Sequence, residues 1–349
     1  MLLESVLNLV RSNVAALTPY SSARDEYTSE ANIFLDANEN PYNWAFNRYP
    51  DPYQSRLKEV ISEWRAIDKS NIFVGNGSDE IIDLLIRAFC EPKIDSIIAL
   101  RPSYGMYKVS AEINNVAIKY NDLDDKFQVD IISLLGTFDI QDKILFICSP
   151  NNPSGNCMSI ENLSKLCQSF LGLVVVDEAY IDFTSTSSMV AKVKEFPNLI
   201  VLQTLSKAMG AAGIRLGMAF MHPEIVTVLN KIKPPYNVNS ATQQIAIDIL
   251  SDRENKKQQV EQIKVERTSL DQFLRQLDFV IEVFPSEANF ILVRVKDVFR
   301  LYDYLLSNGI VARNRDKEFR CQGCIRFTIG TKEENEQLKD VLLKFQTQK

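Results

Sequence analysis

The chain has 349 residues, of which 46% are hydrophobic and 24% are charged. A chain of this length and composition can bury a large core, which predicts one large domain with a smaller one and excludes a disordered or fibrous protein. The net charge of −6 argues against a broad nucleic-acid-binding surface.

The N-terminal residues 1–17 predict an amphipathic helix. Glu4, Arg11 and Asn13 interrupt the apolar core that a secretory signal peptide would need. No run reaches the roughly 18–20 apolar residues of a membrane span. The six cysteines are scattered, which is typical of reduced thiols. We therefore expect a cytoplasmic protein that binds neither a membrane nor nucleic acid.

Helical patterns alternate with short apolar runs from about residue 53 to 220. Helices are predicted over 53–66 and 78–90, the second with Ser78 as its N-cap. Several of the apolar runs are β-branched and do not alternate with polar residues, as in strands that are buried on both faces. They cover residues 96–100, 116–120, 143–149, 173–177, 199–204 and 215–220. Strands separated by helices predict an α/β fold with a mostly parallel central sheet and helices on both faces.

The pattern changes after residue 235. Residues 240–276 predict one long or broken polar helix that connects two domains. The remainder predicts a smaller α+β domain with strands at 279–284, 289–295 and 324–329 and helices at 297–307 and 332–346. We expect residues 41–250 to form the large domain and 251–349 the small one. Residues 1–40 would be an arm that packs with the small domain or across a dimer contact.

Two loops offer ligand-binding groups at the ends of predicted elements. Residues 75–80 enter the helix at Ser78, where glycines allow close backbone approach and free N–H groups face an anion. This segment is no dinucleotide fingerprint, because residue 80 is Glu, and it is no P-loop, because no Lys-Ser/Thr follows. Residues 149–155 follow a strand end, where α/β sheets bind ligands. Taken alone, residues 75–80 are better explained as a capped helix start after a tight turn than as a phosphate site, and residues 149–155 could be a plain turn.

An acid and a lysine follow the next two strands. Asp177 ends a buried strand and needs a partner, because burying an unpaired carboxylate is unfavourable. A metal ion and a protonated heterocycle nitrogen would both serve. Lys207 lies in a loop of small residues, eight residues before Arg215. A partly desolvated lysine close to other cations can attack a carbonyl, although a solvated surface lysine is the commoner case.

No metal site is predicted from the cysteines. Cys321 and Cys324 form a lone CxxC, no second pair accompanies them, and His222 is the only histidine. Two ordinary loop or strand-end thiols are therefore the preferred interpretation.

Together these segments resemble the fold-type I pyridoxal-phosphate enzymes of the aspartate aminotransferase superfamily. The resemblance rests on the order and spacing of residues 149–155 (SPNNPSG), 174–180 (VVVDEAY) and 204–217 (TLSKAMGAAGIRLG). It implies pyridoxal 5'-phosphate as the cofactor. Lys207 would hold the cofactor covalently and move protons as general base and acid, while Asp177 would pair with the protonated pyridine nitrogen.

The same resemblance implies the remaining cofactor contacts. Asn152 and Tyr180 would hydrogen-bond the ring oxygen, and Tyr180 joins Lys207 and Asp177 as a catalytic residue. Tyr104 would stack on the ring. The phosphate would contact Ser206, Arg215 and the backbone N–H groups near Ser78 and Asp79.

Further segments, at residues 17–20, 35–41, 47–51, 102–107 and 325–331, resemble the histidinol-phosphate aminotransferases over nearly the whole chain. This likeness implies transamination of histidinol phosphate with 2-oxoglutarate, giving imidazole-acetol phosphate and glutamate, in histidine biosynthesis. Arg326 would bind the α-carboxylate of glutamate. The other implied substrate-binding residues are Tyr20, Asn38 and Arg313, of which Tyr20 and Arg313 would hold the substrate phosphate.

The likeness also implies a homodimer, in which Tyr49 would reach the cofactor phosphate of the other subunit. Residues 314–323 depart from the family's pattern, and Ser154 replaces the commoner threonine, which leaves local substrate contacts open. Arg313 stands near Arg315 and could be surface charge.

Three alternatives remain. An aromatic-amino-acid aminotransferase and a pyridoxal-phosphate-dependent phospho-amino-acid decarboxylase would use the same cofactor residues, and Arg313 discriminates among these enzymes. A cofactor-binding regulator without turnover is disfavoured, because regulators of this family add a DNA-binding domain.

Overall fold

The computed structural model describes residues 6–19, 32–42 and 44–347. Its larger sheet has seven strands, in the order β1-β7-β6-β5-β4-β2-β3. They are β1 (Ile72–Asn76), β2 (Ser96–Arg101), β3 (Ala117–Asp122), β4 (Asp142–Cys148), β5 (Leu173–Asp177), β6 (Leu199–Thr204) and β7 (Leu216–Phe220). Within this sheet β7 runs antiparallel to both neighbours, and the other pairs are parallel. The predicted mostly parallel α/β sheet is confirmed.

Helices cover both faces of this sheet. The α-helices of the described residues, in chain order, are α1 (Ser12–Ala15), α2 (Ser55–Arg65), α3 (Ser78–Phe89), α4 (Met106–Ile113), α5 (Ile131–Leu135), α6 (Ile160–Ser169), α7 (Pro223–Ile232), α8 (Ser240–Ser251), α9 (Arg253–Leu274), α10 (Val298–Ser307) and α11 (Lys332–Thr347). Val174 and Val176 of β5 pack in a core with α2, α6 and α8. Leu173 and Val175 pack on the other face with α3, α4 and α7. Burial on both faces explains why these strands lack a polar alternation.

The parallel strands bring their following loops to one edge of the sheet. Cys148 at the end of β4 pairs with Asp177 at the end of β5, which in turn pairs with Leu202 near the end of β6. On the other side of β6, β7 begins beside Asn76, the last residue of β1. The start of α3 and the loops after β2, β4, β5 and β6 therefore meet at this edge.

A second, antiparallel sheet has the order β10-β11-β9-β8. Its strands are β8 (Val280–Val283), β9 (Phe290–Val295), β10 (Arg313–Asn314) and β11 (Cys324–Thr328). It has its own apolar core with α9, α10 and α11. The predicted strands and helices of this unit lie within two residues of the observed ones, and the predicted connector helix is broken at Asp252. Strands β1 and β10 were not predicted.

The N-terminal segment differs from its prediction. A continuous helix over residues 1–17 is wrong for the described part, because residues 8–10 form a turn and only one short helix, Ser12–Ala15, follows. Val6 and Val14 are buried against α3 and α7 beside the large sheet. The domain boundaries at residues 40 and 250 stay a prediction. Across the described ranges, no helix combines the length and the apolar character that crossing a membrane requires.

Candidate active site

A cavity of about 890 Å³ opens at the edge of the large sheet where the loops meet. One wall comes from the loops after β2, β5 and β6 and from the start of α3. The other wall comes from β10, β11 and the loop between them. Arg313 of β10 and Arg326 of β11 belong to this wall. The cavity therefore lies between groups supplied by the two sheets, as most small-molecule sites do.

Asp177 lies at the floor of this cavity and is 3% exposed. Its Oδ2 accepts a hydrogen bond from the Tyr107 hydroxyl at 2.8 Å, and its Oδ1 accepts one from the Ala179 backbone N–H at 3.1 Å. Burial raises the pKa of this carboxyl to about 6, and the bond from Tyr107 opposes that rise. The carboxylate is therefore ionised at neutral pH, and no salt bridge from residues 6–19, 32–42 or 44–347 balances its charge.

Lys207 reaches into the same cavity from the loop after β6. Its Nζ lies 5.6 Å from the centre of the Tyr180 ring. Partial burial, and then the charge of Arg326, lower the pKa of the Lys207 amine, while Asp177 opposes this shift. The neutral amine, which is the nucleophilic form, is therefore more abundant than in a solvated lysine.

Three arginines converge on the opposite wall. Arg313 of β10 pairs in register with Arg326 of β11, and Arg315 follows directly after β10. Asn152 Oδ1 accepts hydrogen bonds from Arg326 Nη1 and, at 3.3 Å, from Arg315 Nη2. Arg315 also pairs with Glu318. Such a cluster is suited to bind an anion.

Burial and the charge of Arg315 lower the pKa of Arg326 to about 10, which keeps this guanidinium protonated at neutral pH. The Nε atoms of Arg315 and Arg326 are buried and have no hydrogen-bond partner among the described residues. Donors left without partners in a low-dielectric wall favour an anionic ligand, because it would restore the lost hydrogen bonds.

The start of α3 forms a corner of the cavity that depends on glycine. A Cβ at Gly217 of β7 would lie 2.3 Å from the Ser78 nitrogen, and a Cβ at Gly77 would lie 2.9 Å from Arg215 Nη2. Arg215 adopts a left-handed backbone conformation with φ of 54°, which is uncommon for an arginine. Its guanidinium lies beside Gly77 at the helix N-terminus, and the corner combines free N–H groups with a cation, as phosphate sites do.

Aromatic rings line the floor and wall beside this corner. Tyr104 donates from its hydroxyl to Asp79 Oδ1 at 3.0 Å, and Arg215 Nη2 lies 3.5 Å from Asp79 Oδ2. Tyr180 is 6% exposed and packs edge-on against Phe290, with the ring centres 5.2 Å apart. Burial raises the pKa of both phenols, so both stay protonated and can donate hydrogen bonds.

The structure brings most of the predicted site residues into one cavity. They are Ser78, Asp79, Tyr104, Asn152, Asp177, Tyr180, Ser206, Lys207, Arg215, Arg313 and Arg326. Asn38 and Tyr49 lie elsewhere, in a second hollow of about 440 Å³. Tyr49 stacks on Tyr236 with ring centres 4.5 Å apart. Tyr20 lies outside the described residues. The roles of these residues stay predictions.

Sequence reasoning missed two residues of this site. Tyr107 lay within the recognised segment 102–107 but had no predicted role. Arg315 was treated only as a neighbour of Arg313, because strand β10, which it directly follows, was not predicted. The side chain of Arg315 is 13% exposed, whereas Arg313, for which surface charge was the alternative, lines the cavity but is exposed.

The CxxC cysteines do not line this cavity. Cys321 and Cys324 are buried free thiols, and the Cys324 backbone N–H donates to the Cys321 carbonyl in a tight turn. In the described part of the chain, no group of three His, Cys, Asp or Glu side chains could hold a metal ion.

Comparison with known proteins places this geometry in context. A family model for class I and II aminotransferases matches residues 34–342. A histidinol-phosphate aminotransferase of Parabacteroides distasonis is 52% identical over 340 residues, which cover 97% of this chain and 99% of that protein. The crystal structure of the histidinol-phosphate aminotransferase from Clostridium acetobutylicum has a TM-score of 0.80 at 27% identity, covering 86% of this chain and 91% of that one.

A further solved structure bears on the fold alone. The histidinol-phosphate aminotransferase from Sinorhizobium meliloti, in complex with pyridoxal-5'-phosphate, has a TM-score of 0.77 at 21% identity, over 85% of this chain and 83% of that one. The fold-type I architecture implied by the sequence is confirmed by these neighbours.

Proposed function

Because the chain belongs to the class I and II aminotransferases, we propose that it transfers the amino group of histidinol phosphate to 2-oxoglutarate, giving imidazole-acetol phosphate and glutamate, in histidine biosynthesis. The observation that carries this proposal is the convergence of Lys207, Asp177, Arg313 and Arg326 on one cavity. The 52% identity to a histidinol-phosphate aminotransferase over nearly the full length supports the choice of substrate.

The residues of the cavity fit pyridoxal 5'-phosphate. Asp177 is a buried carboxylate, ionised at neutral pH, whose hydrogen bonds leave it without a cationic partner in the described chain. The corner at Gly217 and Gly77 lets the start of α3 and Arg215 approach a phosphate closely. A ligand with a protonated ring nitrogen at one end and a phosphate at the other would satisfy both sites.

When bound, pyridoxal phosphate would supply an aldehyde that accepts the amino group and a ring that delocalises the electrons released at the substrate α-carbon. Lys207 would hold the cofactor and, as a neutral amine, would carry the proton from the substrate α-carbon to the former aldehyde carbon of the cofactor, which is the 1,3-proton shift that amino transfer needs. Asp177 would keep the ring nitrogen protonated, and Asn152 and Tyr180 would donate hydrogen bonds to the ring oxygen. Ser206, Arg215 and the N–H groups at Ser78 and Asp79 would bind the phosphate.

The arginine wall addresses two different substrates in turn. Glutamate carries an α-carboxylate that histidinol phosphate lacks, whereas both carry an anionic group away from the reacting amine. Arg326 would bind the α-carboxylate of glutamate through its planar fork. Arg313, its neighbour in register, would bind the distal anion, which is the phosphate of one substrate and the γ-carboxylate of the other.

The second hollow suggests how two subunits would cooperate. Tyr49 is 50% exposed, and Asn38 lies in the same hollow rather than in the main cavity. In the proposed cytoplasmic homodimer, Tyr49 would reach the cofactor phosphate of the other subunit, and Asn38 and Tyr20 would join the substrate site.

Covalent labelling tests the cofactor part of this proposal. The purified protein incubated with pyridoxal phosphate should be yellow, and borohydride reduction followed by peptide mapping should place the label on Lys207. Lys207→Ala should remain unlabelled at that peptide. A wild-type protein that stays colourless, or a label on another lysine, would contradict the assignment.

A panel of amine donors tests the substrate. Histidinol phosphate, phenylalanine and a phosphorylated amino acid distinguish the proposed activity from an aromatic aminotransferase and from a decarboxylase, which releases carbon dioxide. Arg313→Leu should raise KM for histidinol phosphate far more than for phenylalanine, because only the former presents a phosphate. Arg253→Leu changes an exposed arginine outside the cavity and should leave both KM values unchanged. Equal effects of Arg313→Leu on the two donors would contradict the phosphate role.

A further inference from the structure

We propose that Tyr107 is a positioning residue, which holds the Asp177 carboxylate ionised and correctly oriented for the ring nitrogen of the cofactor. This inference rests on the proposed binding of pyridoxal phosphate. It concerns a contact between two residues of this chain that the structure shows directly: the Tyr107 hydroxyl lies 2.8 Å from Asp177 Oδ2.

The Tyr107 ring is held in place on two sides. It comes from α4, is 1% exposed, and stacks on Phe146 of β4 with ring centres 4.7 Å apart and planes 14° apart. Tyr104 contacts it edge-on at 5.6 Å. Aromatic contacts of this kind restrict the ring. The hydroxyl is therefore aimed at the carboxylate by packing, before any ligand binds.

Asp177 has few other sources of stabilisation. Its second oxygen accepts only the Ala179 backbone N–H, and Tyr107 is the one side chain of the described residues that donates a hydrogen bond to it. Other titratable groups interact with the carboxylate by charge alone, without a hydrogen bond. They are Asp79, Lys207, Tyr104, Cys148 and Tyr180.

The protonation states suit this role. Burial raises the pKa of the Tyr107 phenol, so the hydroxyl keeps its proton and acts as a donor. A donor to the ionised form of a carboxylate favours that form, against the desolvation that raises the pKa of Asp177. Without the hydroxyl, the equilibrium shifts toward the neutral acid, and a neutral acid pairs poorly with a protonated ring nitrogen.

Tyr107→Phe removes the hydroxyl and keeps the ring that packs on Phe146. We expect the apoprotein to bind pyridoxal phosphate more weakly near neutral pH, by about tenfold for each unit by which the Asp177 pKa then exceeds the pH, because binding must first remove that proton. In the holoenzyme with 15N-labelled cofactor, the chemical shift of the ring nitrogen should move toward that of an unprotonated pyridine. A residue with only a structural role would not change this shift.

Two further variants make the test specific. Tyr302→Phe removes a hydroxyl beside the core of the small sheet, outside the cavity, and it should leave the shift of the ring nitrogen unchanged. In an Asp177→Asn background, Tyr107→Phe should weaken cofactor binding no further, because the partner of the hydroxyl has already lost its charge.

The outcomes separate this inference from the proposed function. If Tyr107→Phe keeps the wild-type dissociation constant and nitrogen shift, the inference is overturned while cofactor binding stands. If the effects of Tyr107→Phe and Asp177→Asn simply add, the hydroxyl acts elsewhere and the inference also fails. A wild-type protein that binds no pyridoxal phosphate overturns the proposed function, and the inference with it.

Discussion

A single methyl group added at Gly217 should separate the fold of this protein from its ability to hold a phosphate. Gly217 lies in β7, between β1 and β6, and pairs with Gly75 and Thr204. A Cβ there would lie 2.3 Å from the Ser78 nitrogen and 2.4 Å from the Gly77 carbonyl carbon. Ordinary contacts between such atoms are about 3.5 Å. Both neighbours are backbone, so the start of α3 must retreat by about 1 Å.

The magnitude follows from this displacement. Overpacking of this kind typically destabilises a protein by about 1–3 kcal/mol. A hydrogen bond of about 2.9 Å from the Ser78 N–H to a phosphate would lengthen to about 3.9 Å, which is no longer a bond. Losing a hydrogen bond to a charged group weakens binding by about 1.5–3 kcal/mol. Gly217→Ala should therefore raise the dissociation constant of pyridoxal phosphate about 10- to 100-fold.

The assay combines urea unfolding of the apoprotein with absorbance titration of the cofactor. Gly213→Ala is the matched control, because a Cβ at that glycine meets no atom within 4 Å. It should change the free energy of unfolding by less than about 0.5 kcal/mol and leave the dissociation constant unchanged. If Gly217→Ala lowers stability but binds the cofactor as tightly as wild type, the phosphate does not bind at the start of α3 and the reasoning fails.

Two further predictions address the carboxylate and the arginine wall. Burial raises the pKa of Asp177 from 3.8 to about 6, so between these values the folded apoprotein holds a proton that the unfolded chain has released. Its free energy of unfolding should therefore fall as pH rises from 4 to 6, and the fall should be up to about 3 kcal/mol larger in wild type than in Asp177→Asn. Urea unfolding measures both proteins across this range, and parallel plots of unfolding free energy against pH would disprove the prediction. Arg326→Lys keeps the charge but loses the planar fork, so kcat/KM for glutamate should fall about 100-fold in steady-state assays. An unchanged kcat/KM would show that Arg326 does not bind the α-carboxylate of glutamate.

Local sequence patterns determined most of the secondary structure. The buried strands of the large sheet were recognisable because a strand covered by helices on both faces has a continuous apolar run, as in residues 173–177. Strand β1 escaped recognition, because its five residues end in Gly75 and Asn76, which are typical of a turn. The antiparallel direction of β7 follows from its pairing with β1 and β6, which no local pattern encodes.

In the candidate site too, the sequence indicated some features and the tertiary structure decided others. By itself the sequence predicted which residues would carry the chemistry, since Asp177 ends an apolar strand, Asn152 and Lys207 follow two others, and the ends of parallel strands meet at one edge. Only the tertiary structure decided their partners. Tyr107 meets Asp177 across 70 residues of chain, and Arg315 meets Asn152 across 163. Such contacts depend on how helices and sheets pack over long distances in sequence, whereas a strand or a capped helix depends on neighbours within a few residues.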